Sequence, residues 1–234
     1  MNPMNTDSTF APHPATLLAE DVILALFDPT SGTIAGENTL FYVLGGAVLA
    51  DLASQGSAVS EDAGIRGVLV RSAGDAPDDE LLRPAWDHIA QKPRGIQGAL
   101  AAIGPTLRSP LIDRLVERGD LTREPRRALG VFPSSSLGEG TTGRRAEIVA
   151  EMRAVLVDGA QPSERIAGII ALVSASGGLP TLHREIPWTG ATATRAKEIE
   201  RGDWAAGAAA AAVTRTMLAV VTNAFVANIA IAGR

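Results

Sequence analysis

The stretch LLAEDVILALFDPTSGTIAGENTLFYVLGGAVLADLA, Leu17 to Ala53, decides the fold. An apolar run, VILALF, follows the acidic pair Glu20-Asp21, and Asp28-Pro29-Thr30-Ser31-Gly32 interrupts it. A second run, Leu40 to Ala53, is rich in small residues. Carboxylates suit a helix N-terminus, and a cluster of Pro, Ser and Gly ends one. The segment therefore reads as helix, polar turn, helix.

The rest of the chain supports a helical protein. It has 234 residues, enough for a substantial core and close to one domain in length. Hydrophobic residues reach 46% but aromatics only 4%, so the core is built from small side chains that favour close helix packing over a β-sandwich. IAGIIALVSASGGL (Ile166–Leu179) and Trp204 to Ala232 are apolar nearly all round, the mark of helices buried on most faces. Arg215 and two Asn residues argue against a membrane span in the second of these. Leu81–Ala90, Ile96–Ile103, Leu111–Arg118, Ala146–Val157 and Ala191–Arg201 are shorter amphipathic helices that would wrap the centre.

Two segments read as extended. Ile65–Arg71 (IRGVLVR) has the form of a short strand. LVERGDLTRE, Leu115 to Glu124, has the form of helix, turn and extended piece, and Gly119 supplies the helix stop. A projecting β-hairpin is expected within residues 129–145, with the Ser- and Gly-rich PSSSLGEGTTG at its tip. Met1 to Pro14 reads as a disordered tail, which leaves residues 15–234 as a single domain. The expected fold class is mainly α: buried central apolar helices, amphipathic helices around them, and a hairpin.

Composition also excludes functions. A net charge of -5 argues against a general nucleic-acid binder, which needs clustered cations. Without cysteine there is no disulfide and no thiolate zinc site, which suits a cytoplasmic protein. Histidines at 13, 88 and 183 give neither a metal spacing nor a triad, and Asp87 and His88, as helix neighbours, point in different directions. No catalytic constellation, metal site or cofactor motif is expected.

Taken in order, LLAEDVILALFDPTSG, GGAVLADLA (Gly45 to Ala53), RLVERGDLT (Arg114 to Thr122) and SERIAGIIALVSASGGL (Ser163 to Leu179) resemble the Golgi phosphoprotein 3 family. The resemblance runs over roughly 200 residues, all but the N-terminal tail. It implies a mostly helical domain whose β-hairpin mediates self-association, here a homo-oligomer through residues 129–145. It also implies a non-catalytic peripheral membrane protein that binds phosphatidylinositol 4-phosphate. In the family, a Trp and a basic residue after the first turn, with two basic residues ahead of the RLVERG-like segment, form the head-group pocket. The matching positions here are Gly36, Gly45, Pro105 and Arg108, so only Arg108 keeps a cation.

Arg126, Arg127, Arg144 and Arg145 could add a basic patch facing an anionic lipid surface, alongside Arg114, Arg118 and Arg123. The competing expectation for these cations is a set of helix faces laced with ion pairs. The functional expectation is therefore an anionic-lipid binder on the inner face of a membrane. Its alternative is a soluble scaffold or small-molecule-binding protein that kept the fold and lost the lipid site.

Overall fold

A computed structural model describes residues 16–128 and 132–201. The N-terminal tail and the apolar segment from Trp204 to Ala232 lie outside the described residues. The chain enters through α1 (Leu18–Leu26), makes the two-stranded turn β1 (Phe27–Asp28) and β2 (Thr33–Ile34), and returns in α2 (Glu37–Ser54). Next come β3 (Ala58–Asp62), β4 (Val68–Ser72), α3 (Arg83–Ala90), β5 (Arg94–Gly95), α4 (Ile96–Ile103) and α5 (Arg108–Glu117). The hairpin β6 (Leu121–Ala128) and β7 (Phe132–Glu139) precedes α6 (Arg144–Leu156), α7 (Glu164–Ala175) and α8 (Gly190–Glu200). The fold is mainly α, as the apolar spacing predicts.

At the centre lies α1. All nine of its residues are buried, Glu20 and Asp21 included, and it touches α2, α5, α6 and α7. A buried helix start leaves amide donors that need acceptors. Glu20 accepts from the Leu17 amide at 2.6 Å, and Asp51 reaches across from α2 so that both its oxygens accept from the Leu18 amide, at 3.0 and 2.9 Å. Two carboxylates, one from a different helix, thus cap α1. The central helices among the described residues are α1, α2 and α7, a larger set than the all-round apolar criterion selects. Buried carboxylates disguise α1, and a polar first turn disguises α2.

Two expectations change. The IRG of Ile65–Arg71 is a turn rather than strand: Gly64–Arg66 forms a short 3-10 helix, Gly64 and Gly67 take φ of +60° and +70°, and the strand begins at Val68. Its partner, β3, is the polar run AVSED, paired from Ala58 with Ser72 to Asp62 with Val68; its low apolar content conceals it in sequence.

The hairpin, secondly, spans 121–139 and not 129–145. Leu121 pairs with Glu139 and Ala128 with Phe132, so the Ser-rich piece is the returning strand, not the tip. Gly138 serves close packing there, because a Cβ on it would lie 2.5 Å from the Thr122 hydroxyl and 2.8 Å from a Glu124 oxygen.

Candidate functional site

The first turn of α2 and the start of α5 meet at one surface. Asp28 accepts from the Thr30 amide and the Ser31 hydroxyl, both at 2.9 Å, which tightens the β1–β2 turn and holds its carboxyl below the ordinary range. Gly36, at φ +72°, then breaks into α2, and its carbonyl accepts from the Thr39 amide. From the other side, a 3-10 turn at Gly104–Thr106 leads into α5. Gly104 lies so close to α2 that a Cβ would collide with the Phe41 carbonyl. That approach sets where Arg108 falls.

Arg108 falls on Glu37. Its Nε donates to Oε2 at 3.0 Å and its Nη2 to Oε1 at 2.6 Å. Both side chains stay about half exposed, 44% and 48%. A cation at the start of α5 opposes that helix's dipole, whereas an anion in the first turn of α2 is favoured there. The bidentate pair satisfies both ends. Phe41, one turn along α2 from Glu37, is half buried, and its ring centroid is 4.2 Å from that of Tyr42.

Among the sequence-derived positions, Gly36, Pro105 and Arg108 therefore converge. Gly45 is buried lower on α2, where a Cβ would be 3.3 Å from the Leu100 carbonyl and 3.4 Å from its side chain. A side chain there requires α4 to give by a few tenths of an ångström. Glu37 is the partner of Arg108 that sequence reading misses. Its signal was local, an acid directly after the helix-starting Gly36, but its partner lies 71 positions away.

Those of the other proposed cations whose side chains are described are engaged in ion pairs or hydrogen bonds within the chain. Asp21 pairs with both Arg144 and Arg165. Arg118 meets Glu20 at 2.5 Å, and Asp120 is approached by Arg144 at 3.4 Å and Arg118 at 3.8 Å. Arg114 binds Asp79 at 2.7 Å; burial pushes the Asp79 carboxyl up, but the Arg114 bonds and the Leu81 amide outweigh it and hold it below the ordinary range. Arg123 pairs with Asp113.

Buried Arg145 donates from Nε to the Phe27 carbonyl and from Nη2 to Glu185, both at 2.9 Å. Arg144 and Arg145 thus tie α6 to the centre and do not stand out as a surface patch. The side chains of Arg126 and Arg127, on β6, lie outside what is described. The ion-pair expectation describes this region, with the pairs running between elements rather than along one helix.

Among the described residues, no group of three His, Asp or Glu could hold a metal ion, and no helix is long and apolar enough to cross a membrane.

A central buried helix, a hairpin after α5 and a polar surface where residues 36–41 meet residues 104–108 define a mainly α domain. The family model described as Golgi phosphoprotein 3 (GPP34) matches residues 18–216, and the chain belongs to that family. No curated protein matches it.

Proposed function

We propose that this Golgi phosphoprotein 3-like protein is a non-catalytic, peripheral binder of anionic lipid head groups, with Arg108 as the contacting cation. The observation that carries the reading is the Arg108–Glu37 pair: a half-exposed guanidinium whose bidentate edge is held by a half-exposed carboxylate, with the half-buried Phe41 one helical turn along α2 from that carboxylate. A phosphate offers the same planar recognition as the carboxylate now bound, with more charge. An aromatic beside it suits the interfacial layer of a bilayer. Glu37 competes for the cation, so the affinity is modest and depends strongly on salt. Phosphatidylinositol 4-phosphate is the specific lipid in this reading, and the protein acts at the cytoplasmic face of a membrane. Self-association through the β6–β7 hairpin would multiply weak head-group contacts on one surface.

Co-sedimentation with neutral, generally anionic and phosphatidylinositol 4-phosphate vesicles, at two salt concentrations, tests it. Binding to the charged vesicles that weakens with salt, and drops about fivefold in Arg108→Ala, is expected, since one cation near a charged surface contributes about 1 kcal/mol. Absence of binding to every vesicle would leave the scaffold alternative standing.

A further inference from the structure

A cavity of about 610 Å³ opens between α3, α4, the Gly104–Thr106 turn and α5. Its size falls within the roughly 300–1,000 Å³ typical of small-molecule sites. Arg108 does not line it. Leu81, Ala85, Ile103 and Leu107 line it while being otherwise buried, so they form an apolar floor rather than a loose surface patch. Pro84 and Pro110 add walls without amide donors. The Thr106 hydroxyl is already donated to the Ile103 carbonyl at 3.1 Å.

Two chemical groups remain to meet a ligand, Glu80 and His88. Glu80 is 85% exposed at the rim, and its nearest cation, Arg114 at 3.5 Å, is held more closely by Asp79 at 2.7 Å. Burial, then the charge of Arg94, pushes the His88 imidazole below its ordinary pKa, so at neutral pH it is an uncharged donor and acceptor. No cation lines the cavity. A carboxylate or phosphate ligand would face the Glu80 charge with only Arg114 nearby, and that cation is already held by Asp79, whereas an ammonium would meet a carboxylate directly.

We propose that this cavity is a binding site for a small amphipathic amine, its apolar body on Leu81, Ile103 and Leu107 and its protonated amino group on Glu80 with His88 as a further acceptor. Arg108 is not part of this site, although both draw on the Gly104–Arg108 segment, and the ligand carries the opposite charge to a lipid head group.

The full chain is titrated with the neutral fluorophore N-phenyl-1-naphthylamine, which is then displaced at pH 7.5 by decylamine or by decanoate, both below their micellar range. Saturable one-to-one binding is expected, with decylamine displacing the probe at a concentration at least tenfold lower than decanoate. Glu80→Gln should erase that preference. Ala102→Trp, at an exposed lining position, should abolish probe binding with an unaltered melting transition; Thr106→Trp, from the neighbouring turn, is the second blocking variant. Failure of the probe to bind, binding that survives both blocking variants, or equal displacement by amine and acid would overturn the proposal.

Discussion

Arg108 and Glu37 are 71 positions apart in the chain and are joined by two hydrogen bonds, at 3.0 and 2.6 Å. An intramolecular carboxylate thus occupies the bidentate edge that a phosphate would use. Replacing it with an amide removes the competing charge but keeps the shape. Glu37→Gln should bind anionic vesicles several-fold more tightly than wild type, most clearly at low salt. The gain should vanish in Glu37→Gln/Arg108→Ala. Equal sedimentation of Glu37→Gln and wild type would show that Glu37 does not hold the site closed.

Asp51 gives the fold a pH dependence. Burial raises its carboxyl to about 7 despite the Leu18 amide and the Arg165 charge. A folded-state pKa above the unfolded 3.8 means the contribution is fully present below pH 3.8 and is lost as pH rises through 7. The full shift corresponds to about 4 kcal/mol. Urea unfolding of wild type and Asp51→Asn at pH 5 and pH 8 isolates it, because the titration of other groups cancels in the difference. Wild type should weaken relative to Asp51→Asn at the higher pH; a constant difference would count against a protonated Asp51. Asp51→Ala leaves the buried Leu18 amide without its acceptor and should cost about 1–3 kcal/mol at either pH.

Asp21 holds the guanidinium groups of Arg144 and Arg165, from α6 and α7, against the central helix. Breaking a buried pair leaves uncompensated charge, so Asp21→Ala should cost about 3–5 kcal/mol in chemical denaturation. A loss below about 1 kcal/mol would mean that solvent already screens the cluster.

Two glycines separate scaffold from site. Gly45→Arg places the family's cation where Leu100 leaves 3.3 Å for a Cβ, so it should lower the melting temperature without raising affinity for anionic vesicles. Gly104→Ala should destabilise by about 2–3 kcal/mol, since the clash is with the Phe41 backbone and no rotamer relieves it. Tighter vesicle binding by a stable Gly45→Arg would show that α4 can move aside.

Register suggests how to test the hairpin. Glu124 pairs with Ser136, so residues 125–135 can be replaced by Asn-Gly, which closes a two-residue turn. The shortened protein should sediment as a monomer if the outer hairpin carries self-association. An unchanged mass in analytical ultracentrifugation would remove the hairpin from the interface.

Sequence by itself determined the helical class and most element positions, because both follow from local patterns. Ile96–Ile103 matches α4 to the residue, and Ser163 caps α7 by accepting from the Ile166 amide at 3.2 Å. Gly119, at φ +78°, ends α5 where a left-handed residue was needed.

Tertiary structure decided what each charge does. Glu20 and Asp21 read as the acidic start of a helix, yet they are buried and neutralised by arginines from the end of α5 and from α6 and α7. Arg144 and Arg145 read as a surface cluster and instead tie α6 inward. A sequence states that a side chain is charged, but the partner that fixes its role comes from another element. That partner is set by packing distances of a few ångströms, such as the approach of Gly104 to Phe41, which local periodicity does not encode.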